Sequence, residues 1–206
     1  VKLTVIGNLP PLGISGSGLI DAVAEMLRLG IIDHTGRLQS VDELPGLLPV
    51  ELRRRVRGEN GRREFVLAWP EETAGTEPVA ISQEDIRELQ LAKGALAAGI
   101  QVLKKELKIK AEDIAEIYLA GAFGSGINPA SARAIGLIPN LPLDRIVAVG
   151  NAAGAGAQLA LLSQSARKQA EGIAREVRYV ELSGRMDFQE AFLGAMYFPR
   201  FTPPAG

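Results

Sequence analysis

The sequence predicts an α/β fold in which helices cover a mixed sheet. Apolar runs with strand periodicity alternate with amphipathic helical patterns along most of the chain. Glycines cluster between these runs, and the 23 glycines are about 11% of the 206 residues, against a usual ~7%. The apolar fraction of 47% and the charged fraction of 23% are those of a globular protein, which excludes general disorder.

Periodicity and capping residues give the expected order of elements. We expect strands over residues 2–6, 64–68, 79–81, 114–120, 145–149 and 177–182, with 64–68 and 79–81 paired. We expect helices over 16–29, within 50–57, over 82–107, over 129–135, in the Ala-rich run after 151, and over 187–196. Ser82 and Asp85 have the spacing of a capping box, and Gly30 is placed to end the first helix.

Composition excludes several classes of function. Lys plus Arg is 23 and Asp plus Glu is 24, and this balance argues against a nucleic-acid partner. The chain has no cysteine, so it holds no disulfide, catalytic thiolate or iron–sulfur cluster of its own. A single histidine, His34, excludes a multi-histidine metal centre.

Targeting signals are not evident, so we expect a cytoplasmic protein without a membrane anchor. The uncharged run 146–166 approaches spanning length, but glycines and polar residues interrupt it. The first residue is Val1, from which we expect a processed chain or a fragment.

Three glycine-rich loops, 13–18, 121–126 and 150–156, each precede an expected helix. Glycine allows close approach of backbone to a ligand, and a helix N-terminus offers free N–H groups. The phosphate-loop and dinucleotide fingerprints are absent or broken. A single loop is equally explained as a tight turn, but three in one chain favour a nucleotide site that includes Gly16, Ser17 and Gly154.

Lys93 interrupts the apolar stripe of the longest expected helix. That stripe is Ile86, Leu89, Lys93, Leu96, Ile100, Leu103 and Leu107. Lys93 either extends its charge to water or lines a ligand cleft, because a buried unpaired ammonium is costly. Gly94 and Gly99 on the same helix indicate that something approaches it closely.

Six arginines lie between residues 53 and 63. They are Arg53, Arg54, Arg55, Arg57, Arg62 and Arg63. The pattern fits either a solvated surface or a docking patch for an acidic partner. No spacing of carboxylates, and no arrangement of Ser, His and Asp, indicates a catalytic group.

Four blocks of sequence, residues 11–23, 81–95, 118–124 and 150–155, together resemble a known family. They are similar to the C-terminal ATPase domain of reductive activators of corrinoid proteins. This domain belongs to the superfamily of acetate and sugar kinases, heat-shock ATPases and actin. The resemblance implies a ribonuclease-H-like, actin-like ATPase lobe, and covers the chain from about residue 3 to 200.

The resemblance also implies site residues and partners. A strand followed by a glycine turn binds adenosine in this superfamily, which points to Gly121, Ala122, Phe123 and Gly124 here, with Gln90 and Lys93 on a neighbouring helix. The full-length proteins use ATP with magnesium, carry an N-terminal [2Fe–2S] domain and pass electrons to a corrinoid iron–sulfur protein or a corrinoid methyltransferase protein. Homodimerisation is a further expectation.

The sequence also departs from this family. The acidic Gly/Thr-rich hairpins that bind the ATP phosphates are missing, and Ser15 stands where a cysteine is expected. We therefore expect residues 1–206 to form one domain, most of the second ATPase lobe of a longer protein, inactive alone. A non-catalytic protein-docking domain and a dinucleotide-dependent enzyme remain the alternatives.

Overall fold

The computed structural model describes residues 1–58 and 62–200, without the side chain of Ala122. The helices are α1 Gly16–Arg28, α2 Val50–Arg53, α3 Gln83–Leu107, α4 Gly121–Gly126, α5 Pro129–Ala134, α6 Ala152–Leu162, α7 Gln164–Glu176 and α8 Met186–Ala195. The strands are β1 Val56–Arg57, β2 Glu64–Ala68, β3 Val79–Ser82, β4 Ile117–Ala120 and β5 Ile146–Gly150. The expected mixture of helices and strands is thus confirmed.

The strands form two small sheets. β1, β2 and β3 make an antiparallel sheet in that order, so the expected pairing of residues 64–68 with 79–81 is confirmed. β4 and β5 form a separate parallel pair. One face of this pair reaches solvent, with Tyr118, Val147 and Val149 exposed, although parallel sheets are normally covered on both faces.

Local chemistry fixes the ends of the two principal helices. The Ser15 hydroxyl accepts a hydrogen bond from the Gly18 N–H at the start of α1, and Gly30 follows the helix at a φ of 68°. Ser82 and Asp85 form the expected capping box at the start of α3. Helix α3 ends at Leu107, and its C-cap Lys108 is left-handed with a φ of 54°.

One core holds most of the buried apolar side chains. Helix α1, strands β2 and β3, the start of α3 and helix α5 enclose it. Its most deeply buried members include Ile20, Val23, Ile31, Ile32, Leu38, Phe65, Ile81, Ile86 and Ile135. This core anchors one side of the molecule and leaves β4, β5, α6 and α7 largely exposed.

Two expected strands were wrong. Residues 1–5 lie outside regular structure and are followed by a turn of 3₁₀ helix at Ile6–Asn8, and residues 177–182 form no strand. A strand needs a neighbour to satisfy its backbone groups, and the described residues supply none beside either segment. The Ala-rich helix is in fact two helices, α6 and α7, which meet at Ser163.

The apolar stripe expected on α3 was correct only over its first half. Ile86, Leu89 and Lys93 are buried, whereas Leu96, Leu103 and Leu107 are exposed. The later part of α3 buries Ala98 and Val102, and α8 packs across the bare backbone of Gly94 through Phe192 and Met196. The small residues of α3 allow α8 to pack closely against it, which explains the glycine at position 94. Gly99 allows a similar close approach by Leu182.

No helix in the described part of the chain combines the length and hydropathy needed to cross a membrane.

Candidate functional site

The second and third glycine loops lie side by side at the carboxyl ends of the parallel strands. Ala120 of β4 is the register partner of Gly150 of β5, so the residues that follow, Gly121 and Asn151, leave the sheet at one edge. Both glycines have positive φ, 85° at Gly121 and 64° at Gly150. Ligands in open α/β sheets bind at this edge, outside the carboxyl ends of the strands.

The first glycine loop meets the second through two close contacts. A Cβ atom at Gly16 would lie 2.7 Å from the Cε2 atom of Phe123, so a side chain there would require the Phe123 ring to move. A Cβ atom at Gly126 would lie 3.4 Å from the Ser17 hydroxyl oxygen. Because Gly16 and Gly126 have no side chains, the start of α1 packs closely on α4. The three loops therefore converge as one surface.

Helices α1 and α6 present unpaired N–H groups at this surface. The Ser15 hydroxyl caps Gly18 at 3.1 Å, and the Asn151 side-chain oxygen caps Gly154 at 2.9 Å. The other N–H groups of each first turn have no intrahelical acceptor. No acidic side chain lies in either first turn, so the positive end of each helix dipole is uncompensated. This arrangement suits a phosphate or the polar groups of a nucleoside.

The expected site residues at this surface have different roles. Phe123 is 56% exposed and Gly121 is half-buried, so both are accessible to a ligand. Gly124 is buried, and a Cβ there would lie 3.0 Å from the Leu119 carbonyl carbon, so its bare backbone is already explained by packing. At Gly154 a Cβ would lie 2.5 Å from the Asn151 amide nitrogen and would displace the cap.

Gln90 and Lys93 hold the C-terminal segment of the chain. The Gln90 amide nitrogen donates to the carbonyls of Thr35 and Met196, at 2.9 and 2.8 Å. The Lys93 ammonium donates to the Tyr197 carbonyl at 2.5 Å and lies 5.0 Å from the centre of the Phe198 ring. Contact of either side chain with a nucleoside stays a prediction, and it requires this segment to release them.

Lys93 is only 1% exposed. Burial lowers the pKa of its ammonium from 10.5 to about 8. No carboxylate pairs with it among the described residues. Its burial contradicts the alternative of a charge extended to water, and the alternative of a ligand cleft stays a prediction.

Three of the six clustered arginines donate hydrogen bonds to backbone carbonyls. Arg53 donates to the Leu48 carbonyl, Arg55 to the carbonyls of Val66 and Leu67, and Arg63 to the Leu38 carbonyl. These three side chains are therefore internal ties, a role that neither a solvated surface nor a docking patch anticipated.

Neither metal nor cluster chemistry fits the residues of this site. Across the described ranges, no group of three or more His, Cys, Asp or Glu side chains could hold a metal ion. Mg²⁺ requires oxygen ligands from carboxylates or phosphates, and the three loops contribute no carboxylate. A [2Fe–2S] cluster requires ligands that a chain without cysteine cannot supply.

Sequence reasoning missed two residues that shape the site. Ser15 and Asn151 each cap the helix that follows a glycine loop. The available signal was a polar cap residue immediately before a helical pattern.

Comparison with known proteins gives consistent matches. A family model described as the C-terminal domain of RACo, the ASKHA domain, matches residues 1–204. The corrinoid activation enzyme RamQ of Eubacterium limosum is 36% identical over 193 residues, 94% of this chain and 32% of that enzyme. The reductase of the Co(II) methylated amine-specific corrinoid protein of Methanosarcina barkeri is 27% identical over 165 residues, 80% of this chain and 25% of that protein.

A solved structure agrees with these matches. A reductive activator for a corrinoid, iron-sulfur protein superposes with a TM-score of 0.83 at 35% identity, over 96% of this chain and 30% of that one. The chain thus spans about a third or less of the length of these relatives. The ASKHA family match and this superposition confirm the expected actin-like ATPase fold.

Proposed function

Because the chain belongs to the family of C-terminal ASKHA domains of RACo, we propose that it binds an adenine nucleotide where its three glycine loops converge. The convergence itself carries the proposal, since two uncompensated helix N-termini and an exposed aromatic ring face one surface. Gly16, Ser17, Gly121, Ala122, Phe123 and Gly154 contact the ligand in this proposal, and the buried Gly124 lets the turn that carries Phe123 pack on Leu119. Phe123 offers a stacking face to the base, and the backbone N–H groups serve the ribose and phosphates.

In this proposal the chain forms most of the second lobe of a longer ATPase. Strands β4 and β5 support it, because an exposed face is unusual for a parallel pair and further chain would cover it. The relatives are about three or more times longer than the matched part, which is consistent with such a partner lobe. Magnesium and the phosphate hairpins would belong to that remainder.

The longer protein would couple nucleotide binding to the reductive reactivation of a corrinoid protein in the cytoplasm. The relatives are named as a corrinoid activation enzyme, a corrinoid protein reductase and a reductive activator. Electrons would come from an iron–sulfur centre outside this chain, because the chain has no cysteine. The partner is a corrinoid iron–sulfur protein or a corrinoid methyltransferase protein.

One observation favours a second candidate, a domain that keeps the fold but docks a protein instead of a nucleotide. The three loops contain no lysine, arginine or carboxylate, so charge-assisted contacts to a triphosphate are absent from them. Calorimetry with ATP, adenosine and NAD separates the candidates. Binding that depends on adenosine supports the nucleotide site, whereas no binding supports the docking domain and a preference for NAD supports a dinucleotide enzyme.

A sharper test places a negative charge at the start of α1. Ser17→Asp adds a carboxylate beside the unpaired N–H groups, where it stabilises the helix but repels phosphate. We expect unchanged or higher stability, unchanged adenosine affinity and a loss of ATP affinity. Ser165→Asp is the matched control, because Ser165 hydrogen bonds to its cap Ser163 at 3.0 Å as Ser17 does to Ser15 at 3.2 Å. Equal ATP affinities in the two variants would contradict the site.

A further inference from the structure

A cavity of about 700 Å³ lies between the first six residues, helix α1 and strands β2 and β3. Its floor belongs to the main core, since Met26, Ile31 and Phe65 line it although each is at most 3% exposed. The volume lies within the range of about 300–1,000 Å³ that is typical of binding sites. An occupant of this cavity would therefore extend the core directly.

One carboxylate on the wall of the cavity has no partner. Asp21 lines the cavity from α1, and its Oδ1 atom is buried without a hydrogen-bond donor among the described residues. Glu25, one turn later on the same wall, is paired with Arg28. A buried carboxylate oxygen without a donor destabilises the fold. The cavity thus lacks a hydrogen-bond donor as well as apolar side chains.

Another wall of the cavity is an extended segment that pairs with nothing. Residues 1–5 alternate apolar with polar side chains, and Val5 has the φ and ψ of a strand. Within the part of the chain that the structure describes, residues 1–4 make no backbone hydrogen bond. At about 3.3 Å per residue, residues 1–5 span about 13 Å. A wall of this kind favours an elongated occupant with backbone groups of its own, which is a strand.

We propose that the residues immediately before Val1 in the longer protein form a strand that fills this cavity, pairs with residues 1–5 and donates a hydrogen bond to Asp21. The inference rests on one part of the proposed function, that the chain belongs to a longer protein. It does not depend on the nucleotide site. Residues 1–5, which lie outside any strand in this structure, would gain the neighbour that a strand requires.

The preceding segment is favoured over a small ligand or another protein. The family model that matches this chain is described as the C-terminal domain of RACo, so the rest of RACo precedes the matched region. Val1 itself lines the cavity, so a segment attached to it starts there and closes only a short loop. A short tether gives a roughly millimolar effective concentration, whereas a separate molecule bears the full entropic cost of association. Antiparallel strands can be joined by a turn of about two residues, so the segment can return directly along residues 1–5.

Thiol labelling tests the proposal, because the 206 residues contain no cysteine. Ala22→Cys places one thiol on the wall of the cavity, and Ser165→Cys on the exposed helix α7 is the matched control. Each variant is made in the 206-residue chain and in a chain extended by the preceding residues, about 20 in number, enough for a strand and a turn. Mass spectrometry of peptides measures the rate of maleimide labelling. The extension should slow labelling of Ala22→Cys at least about tenfold and leave Ser165→Cys unchanged.

Asp21→Leu gives a second readout, with opposite signs in the two chains. Without the extension it removes a buried oxygen that has no partner, so Tm should rise by at least about 2 °C. With the extension it removes the acceptor of the proposed hydrogen bond, so Tm should fall. Asp144→Leu, at an exposed position outside the cavity, should have the same effect in both chains.

Equal labelling of Ala22→Cys in the two chains, equal slowing of both thiols, or the same sign for Asp21→Leu in both chains would overturn the proposal. Protection of Ala22→Cys that appears only in the full-length protein would overturn it in favour of a more distant part of that protein. Nucleotide titration of the same two chains keeps this proposal separable from the nucleotide site, because absence of nucleotide binding would leave the labelling result unchanged.

Discussion

Replacement of Lys93 by Met should change how the stability of the chain depends on pH. The folded pKa of Lys93 is about 8 and the unfolded value is 10.5. Between these values the unfolded state binds more protons, so stability rises with pH across this window. Below pH 8 both states are charged and the natural chain bears the full cost of burying the ammonium. Lys93→Met removes this dependence.

The size of the change follows from two opposing effects. A difference between 10.5 and about 8 corresponds to about 3.5 kcal/mol, at about 1.4 kcal/mol per pH unit. Methionine also leaves the Tyr197 carbonyl without its donor, which costs about 1–3 kcal/mol. At pH 7 we expect Lys93→Met to be more stable than the natural chain by about 0.5–2.5 kcal/mol. Above pH 10.5 we expect it to be less stable by about 1–3 kcal/mol.

Urea unfolding followed by circular dichroism at pH 7, 8, 9 and 10 measures this difference directly. Lys168→Met on the exposed helix α7 is the control, and its difference from the natural chain should not vary with pH. A constant difference for Lys93→Met over the same range would refute the reasoning, since it would mean that Lys93 has an ordinary pKa in the folded protein.

Three further predictions concern the glycine loops. Gly121→Ala should lower the free energy of unfolding by about 1–2 kcal/mol in urea melts, because alanine is strained at a φ of 85°. The added Cβ itself would meet nothing within 4 Å. The control Gly156→Ala, within helix α6, should instead raise the free energy of unfolding. Ser15→Ala should lower stability by about 1 kcal/mol through loss of the α1 cap, measured as a lower Tm. ATP and adenosine should both bind the chain weakly in calorimetry, with only a small preference for ATP from the backbone N–H groups, and a strong preference for ATP would show that charge-assisted phosphate contacts lie in this chain.

Elements with local chemical signals could be predicted from the sequence. The start of α3 depends on Ser82 and Asp85, which are three residues apart, and the end of α1 depends on one glycine. Such signals act over a few residues, so they survive in any tertiary context. The strand expected at residues 2–6 has the right residues but no neighbour in the described structure, and pairing is a property of the whole fold.

The environment of Lys93 could not be predicted for the same reason. Its position on an apolar stripe was visible, but the carbonyl that it contacts belongs to Tyr197, more than a hundred residues later. The convergence of the glycine loops is equally non-local, since it depends on the register of β4 with β5 and on the ring of Phe123 against Gly16. The sequence indicated three loops of one kind, and only the fold brings them together.

The proposed function requires that a nucleotide binds where the three loops meet. Titration of the ¹⁵N-labelled chain with adenosine and ATP, followed by two-dimensional NMR, tests it most directly, because glycine amides fall in a distinct region of the spectrum. We predict that the amides of Gly16, Gly121 and Gly154 shift together with one saturation curve, while those of Gly172 and Gly184 remain unchanged. Saturable shifts confined to residues outside the three loops, or no shifts at millimolar nucleotide, would contradict the account.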